Sequence, residues 1–365
     1  MAEKVTIATV ARRARVSRQT VSNVLNAPHM VREETRERVR EAISALGYRA
    51  NQAARQMRTG RSRLIAVRIE PTRDGVNGSV LDRFLHGLTE AAEAAGYRVM
   101  LYTAPDPRAE IDAYDSLLGA YDLDAFVLTG TEYGDARTAW LTERDVPFVT
   151  FGRPWDNPAE TAPQGRTAVP ARHPWVDVNG ADGVAQATRR LLDTGHRRIG
   201  FVGWPAGSGV GDDRRSGWHD TLLTAGLDPT GLDRAAPDGF AEGEAAARDL
   251  LASAEPPTAI VCASDSLALG ALQAVGAPGG WPAGPGQRPE VAVTGFDDTP
   301  VAQAIGLTSV SQPLAQAAAC CVDLLADVLD GSRRGGAAGH RRSDPASSGP
   351  GQVLLRPSLV VRQSG

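Results

Sequence analysis

Residues 5–26 read V-T-I-A-T-V-A-R-R-A-R-V-S-R-Q-T-V-S-N-V-L-N. Ile7, Val10, Ala11 and Ala14 fall at i, i+3, i+4 and i+7, the spacing of one apolar face on a short helix. Arg15-Val16 makes a tight connection, and Ser17 stands as N-cap for a second helix over Arg18–Leu25. On that helix Val21, Val24 and Leu25 share the inner arc, while Arg18, Gln19, Ser22 and Asn23 share the outer one. A third periodic run, Thr35, Val39, Ile43 and Leu46, ends at Gly47, a residue suited to the left-handed turn that closes a helix. A solvated helical face is the plain alternative. Three short helices, the second exposing Arg, Gln and Asn, meet the needs of major-groove reading, where Arg pairs with guanine and Gln or Asn with adenine.

Charge separates this head from the rest of the chain. The formal net charge over 365 residues is −4, yet residues 1–63 carry 14 Lys and Arg against 5 Asp and Glu, and the remainder 25 against 38. A basic head on an acidic body reads as a polyanion-binding module joined to one that avoids polyanions. The length suits a short module plus a larger, two-lobed one. The first residues lack the basic and long apolar regions of a secretory signal. No run approaches the ~18 consecutive apolar residues of a membrane helix, so no membrane partner is expected. Cys262, Cys320 and Cys321 form no paired framework, and reduced thiols in a cytoplasmic, nucleoid-associated protein are the expectation.

From Leu64 onward, short apolar runs alternate with helical patterns. Strands are predicted at Leu64–Ile69, Val99–Tyr102, Ala125–Thr129, Phe148–Phe151, Ile199–Gly203, Ala259–Ala263 and Val291–Gly295. Helical stretches are predicted at Leu81–Ala95, Ala181–Thr194, Ala241–Ala254 and Leu267–Val275. This rhythm implies parallel sheets covered on both faces. A segment rich in Pro, Trp and Gly, Arg153 to Trp175, divides the run into two similar lobes. In open α/β sheets ligands bind beyond the carboxyl ends of strands. Arg153, Trp155, Trp204, Ser264, Asp265, Phe296 and Asp297 all follow or end such strands. Indoles beside Asp and Arg suit a carbohydrate, whose C–H face stacks on rings while charged groups hold its hydroxyls. A nucleobase-type effector acting as corepressor is the alternative.

The head is similar to that of the lactose-repressor (LacI-type) family of bacterial regulators, and the likeness continues through T-R-E-R-V-R-E-A-I-S-A-L-G-Y-R-A-N-Q-A-A-R-Q-M-R-T-G-R-S at residues 35–62. The body resembles the same family at G-H-R-R-I-G-F-V-G (195–203), R-R-S-G-W (214–218), A-S-D-S-L-A-L-G-A-L (263–272), V-T-G-F-D-D-T-P (293–300) and L-T-S-V-S-Q-P-L (307–314). The resemblance implies an all-α helix-turn-helix headpiece over 1–49 and a hinge helix and linker over 50–62. It also implies a periplasmic-binding-protein-like α/β effector and dimerisation domain over 63–365. The lobe boundary is expected near 175–180, the chain's return near 300–315, and a flexible, basic loop at 331–352.

The resemblance also implies roles. Arg18, Gln19 and Asn23 read bases, and Thr6, Ser17, Thr20, Ser22, Asn26, Tyr48 and Asn51 complete the operator surface. Arg32 stands where a Ser often caps the third helix. Asn51 to Arg58 resembles the hinge helix, with Met57 as the wedge between base steps, Ala54 beside it and Arg58 on phosphate. In the body, Arg214 and Asp297 contact effector, joined by Leu81, Trp218, Ser264, Asp265 and Phe296. Gly152 stands where some relatives place a sugar-binding Asp, so Arg153 or Trp155 supplies that contact.

Competing motifs fail. Gly207-Ser208-Gly209-Val210-Gly211 lacks the sixth-position glycine of a dinucleotide loop, which is Asp212, and no phosphate-binding loop or nucleophile elbow occurs. The six histidines show no metal-ligand spacing. No catalytic residue, metal or cofactor is expected. A sugar receptor for transport would share the body but has no use for the basic head. The expected function is a repressor of carbohydrate-utilisation genes. It binds a pseudo-palindromic double-stranded operator as a homodimer, or a higher oligomer, and is switched allosterically by a small sugar.

Overall fold

The computed structural model describes residues 5–48, 61–69, 76, 78–155, 173–276, 291–331, 347–349 and 351–365. Two compact units are present, one up to Ser62 and one from Arg63 onward.

The first unit is three helices: α1 (Ile7–Ala14), α2 (Arg18–Asn26) and α3 (Glu33–Leu46). Thr6 caps α1 in a reciprocal box with Thr9, and Arg15, at φ +54°, closes it. Ser17 caps α2 by accepting the Thr20 N–H at 3.0 Å. Arg32 precedes α3 with no side-chain cap, and Glu33 and Glu34 in the first turn offset this by facing the positive end of the helix dipole. Gly47 closes α3 at φ +61°. Val10, Ala11, Ala14, Val21, Val24, Val39 and Ala42 form the core. Leu25, expected on the inner arc, is instead 37% exposed. The core takes in the Val21–Val24 side of α2, and Leu25 lies about 40° beyond Val21 on the far side.

In the second unit, the first lobe opens with β1 (Leu64–Ile69), α4 (Gly78–Ala94), β2 (Arg98–Thr103), α5 (Pro107–Tyr121) and β3 (Ala125–Thr129). It continues with α6 (Ala136–Glu143), β4 (Phe148–Phe151) and β5 (Trp175–Val178). The second lobe runs α7 (Gly180–Asp193), β6 (Ile199–Gly203), α8 (Val210–Thr224), β7 (Asp233–Ala235) and α9 (Phe240–Leu251). Then come β8 (Ala259–Cys262), α10 (Asp265–Ala274), β9 (Ala292–Phe296), α11 (Pro300–Ile305) and β10 (Thr308–Ser311). The chain returns through α12 (Leu314–Gly331), β11 (Ser347–Gly349) and β12 (Gln352–Leu355) to the first lobe, and crosses once more to β13 (Ser358–Val360). The third passage, between β12 and β13, has no counterpart in the sequence expectation.

The first sheet has strand order β11-β12-β5-β4-β3-β1-β2 and the second β13-β10-β9-β8-β6-β7. Both are parallel except at one edge, where β11 and β13 pair antiparallel with their neighbours. β11 lies inside the stretch expected to be a loop. Alternation assigns the faces of the first sheet. Ile65, Val67, Val127 and Val149 pack with Phe84 and Leu88 of α4 and Cys321 and Leu325 of α12. Ala66, Phe126 and Leu128 pack with Tyr114 of α5 and Leu141 of α6. The second lobe's core gathers Phe201, Trp218, Leu250, Ile260, Leu267 and Phe296.

Candidate functional site

On the headpiece, α2 leaves Arg18 and Gln19 exposed and Ser22 and Asn23 half-buried. Arg12, Arg13, Arg15 and Arg18 are exposed and make no ion pair among the described residues, so their full positive charge faces outward. By contrast Arg36, Arg38 and Arg40 pair with Glu33 and Glu34 along α3. The uncompensated charge therefore sits on α1, the start of α2 and Arg32 before α3, where it can hold phosphates around a base-reading helix. Thr6, Ser17 and Thr20 are engaged in caps: Ser17 Oγ and Thr20 Oγ1 are 2.9 Å apart. Tyr48 packs against the helical core.

In the body, the carboxyl ends of β4, β6, β8 and β9 and the first turn of α8 converge on one cleft. Arg214 is 6% exposed and its guanidinium lies 3.7 Å from the Phe296 ring centroid and 5.1 Å from that of Trp204. It donates to the Ala263 carbonyl and stands 3.8 Å from Asp297 Oδ1. Asp297 Oδ1 also accepts from Gln312 Nε2 at 2.6 Å. Burial pushes the Asp297 carboxyl up to about 7, against the pull of Arg214 and with the push of Asp265. Among the described residues, Arg214 Nε, Trp204 Nε1 and Trp155 Nε1 are buried donors without a hydrogen-bond acceptor.

The first lobe meets this cleft through Arg153, Trp155 and Tyr133. Arg153 lies over the Trp155 ring at 4.6 Å and bridges Asp177 at 2.6 Å and Asp213 at 2.9 Å. Tyr133 Oη donates to Asp212 at 3.2 Å. The Trp155 indole lies flat against Gly209, where a Cβ would collide with the ring. On the other flank, Arg83 of α4 donates to the carbonyls of Asp297 and Asp298, each at 3.3 Å. Those two residues have φ of +112° and +49°, so two consecutive strained positions are pinned by an arginine from the opposite lobe.

Residues 6–51 match the family described as "Bacterial regulatory proteins, lacI family", and residues 79–319 that described as "Periplasmic binding proteins and sugar binding domain of LacI family". The chain belongs to the LacI family. Members are DNA-binding transcriptional regulators rather than enzymes, and so is this LacI-family chain. It is 32% identical over 371 residues to the HTH-type transcriptional regulator CelR of Thermobifida fusca, covering 99% of this chain and 98% of the relative. To the regulator AglR of Rhizobium meliloti (strain 1021) it is 31% identical over 265 residues, 71% of this chain and 70% of the relative. A solved CelR–cellobiose complex superposes with TM-score 0.66 at 29% identity, over 99% of this chain and 100% of that one. The lac repressor dimer bound to operator and the anti-inducer ONPF shares the fold, with TM-score 0.72 at 24% identity over 99% of each chain.

Against the LacI-type expectation, the structure redistributes several residues. Trp218 does not face the cleft. It is fully buried, stacks on Phe201 at 5.5 Å and donates to the Ile199 carbonyl at 3.1 Å, at the start of β6 and far from its carboxyl end. One turn along α8 from Arg214, the side chain has passed beneath the sheet. Asp265 is also withdrawn. Its carboxylate accepts the Thr299 N–H at 2.7 Å, the Thr299 hydroxyl at 2.8 Å and the Ser309 hydroxyl at 2.6 Å, so it anchors the loop that carries Asp297. Ser264 caps α10 and donates to Asp238. Leu81 is half-buried against the first lobe's core. Arg153 is engaged by two carboxylates rather than left open for ligand. Gly152 has φ +123°, and a Cβ there would strike Thr131 Oγ1, so an Asp at this position would be strained.

Asp212, Asp213, Tyr133, Arg83 and Gln312 escaped the sequence reading. The signal for the first two was present, since paired acids in the first turn of a helix suit its dipole and point to the cleft. Asn51, Ala54, Met57 and Arg58 lie outside the described residues. Asn26 ends α2. Among the described residues, no His, Cys, Asp and Glu group could hold a metal, and no helix is long and apolar enough to cross a membrane.

Proposed function

We propose that this regulator is a repressor that binds a pseudo-palindromic operator as a homodimer. Each α2 lies in the major groove of one half-site, and a small carbohydrate enters the cleft between the lobes. Arg18, Gln19 and Asn23 read bases, while Arg12, Arg13 and Arg15 hold phosphates. The observation that carries the effector reading is the set of buried N–H donors on Trp155, Trp204 and Arg214 that lack acceptors, beside the Asp297 carboxylate. A sugar supplies hydroxyl oxygens to such donors, hydroxyl hydrogens to the carboxylate, and C–H faces to the indoles. The likeness to CelR, solved with cellobiose, supports a disaccharide of that class.

Sugar binding between the lobes alters operator affinity by a coupling of about 5–150-fold. The test is a thermal-shift titration of the full chain with cellobiose, other mono- and disaccharides, and purines, followed by footprinting of the DNA around its own gene. Stabilisation by a sugar together with loss of the footprint is expected. Stabilisation by purines alone would overturn the carbohydrate reading.

A further inference from the structure

Across the exposed face of α2, the polar side chains are joined in pairs. Ser17 and Thr20 hold each other at the helix start, and one turn on Gln19 Nε2 donates to Asn23 Oδ1 at 3.0 Å. Arg18, between them, makes no such bond among the described residues. Gln19 and Asn23 are i and i+4 neighbours, so their amides share one strip of the surface. We infer that Gln19 and Asn23 read the operator as one unit, with Asn23 setting which way the Gln19 amide faces. This rests on the reading of α2 as the helix that enters the major groove.

An unpartnered glutamine amide turns freely about its last bond and offers either oxygen or nitrogen to a base. With one N–H of Gln19 directed at Asn23 Oδ1, the Gln19 carbonyl Oε1 is turned outward as an acceptor. Asn23 keeps its Nδ2 hydrogens as donors. In the major groove the hydrogen-bond donors are the amino groups N6 of adenine and N4 of cytosine, and the acceptors are N7 and O6 of guanine, N7 of adenine and O4 of thymine. The second Nε2 hydrogen of Gln19 faces outward beside Oε1, so the pair selects adenine, whose N6 donates to Oε1 and whose N7 accepts that hydrogen, next to an acceptor facing Asn23. Without Asn23, Gln19 can flip and accommodate G or T at the same place. Asn23 thus acts as a positioning residue for a base pair that Gln19 touches.

The experiment measures relative affinities of the full-length protein for operator duplexes, changed one base pair at a time across the footprinted half-site. Wild type is compared with Gln19→Ala, Asn23→Ala, the double variant, Asn23→Asp and Gln19→Glu, with thermal melts to confirm folding. Wild type is expected to discriminate by roughly tenfold at the Gln19 base pair. Asn23→Ala is expected to flatten that discrimination as well as its own, with the double variant adding nothing further at that position. Asn23→Asp keeps the acceptor but loses the Nδ2 donors, so binding weakens and the preference at Asn23's own base pair is lost while the Gln19 preference survives. Gln19→Glu removes the donor to Asn23 but leaves an acceptor facing the base, so binding weakens and the preference shifts from adenine towards cytosine. Independent, additive changes at separate base pairs would overturn the coupling while leaving base reading by α2 intact. Loss of the Gln19 preference in Asn23→Asp would overturn the stated direction of the bond. If no variant altered any base preference, α2 would not be the reading element, and the underlying proposal would fall instead.

Discussion

Arg153 Nη2 lies 2.9 Å from Asp213 Oδ2, and this ion pair ties the end of β4 in the first lobe to the first turn of α8 in the second. The same guanidinium holds Asp177, whose carboxyl is raised by burial and lowered by Arg153. Removing the arginine leaves two poorly solvated carboxylates facing each other. Breaking a fully buried pair costs about 3–5 kcal/mol, and the partial exposure of Arg153 lowers the expectation to about 2 kcal/mol. Arg153→Ala is therefore expected to destabilise the chain by that amount in urea unfolding. Arg153→Lys should recover little, because an ammonium cannot span both carboxylates as the guanidinium fork does. Equal stability of Arg153→Ala and wild type would remove the bridge from the account.

At Gly152 the backbone decides the chemistry. Gly152→Asp would restore the acidic residue found in some relatives, but at φ +123° and against Thr131. Strain of about 1–3 kcal/mol is expected, with no gain in sugar affinity. Thr131→Ala in the same chain relieves the collision and leaves the backbone penalty, so recovery should be partial. Calorimetric titration with the identified sugar, beside a melting curve, checks both parts.

Asp297 makes the cleft pH-dependent. Its folded carboxyl sits near 7, above the ~3.9 of an unfolded aspartate. Between those values the folded state binds the extra proton, so this group's contribution is greatest below about pH 4 and is lost as pH rises through 7. Asp297→Asn should flatten that portion of the stability profile. Sugar binding should run the opposite way: the carboxylate accepts hydroxyl hydrogens best when ionised, so affinity falls as pH drops below about 7. Affinity independent of pH between about 5.5 and 8.5 would exclude Asp297 as the accepting group.

Sequence periodicity located what repetition and burial dictate. Ala125–Thr129 is a run of five buried residues, and it lies inside the first sheet between β4 and β1, where both faces are covered. Thr308–Ser311 was missed as a strand because T-S-V-S carries only one apolar residue, and its burial is made possible by contacts remote in sequence, such as Ser309 to Asp265. The strand-end rule pointed to Trp155, Trp204 and Asp297, all of which follow parallel strands. It could not tell which side chains there are engaged by protein partners. Asp265 and Asp297 are equally placed by that rule, yet one anchors a loop and the other faces Arg214. That distinction depends on Thr299 and Ser309, whose positions follow only from the folded sheet.

The two tryptophans Trp204 and Trp218 give the sharpest separation of cleft from core. Both were expected to touch effector. Trp218 is fully buried with its N–H on Ile199, whereas the Trp204 N–H has no acceptor among the described residues and its ring lies beside Arg214. Trp218→Ala should cost about 3–5 kcal/mol of stability, as for other large core deletions, while the folded fraction binds sugar normally. Trp204→Ala should cost much less stability and weaken sugar binding at least tenfold, because stacking area and a donor are lost together. In a Trp155→Phe background, intrinsic fluorescence should follow the same division, with sugar quenching or shifting emission in Trp218→Phe but much less in Trp204→Phe. A sugar response abolished by Trp218→Phe and retained in Trp204→Phe would reverse the assignment.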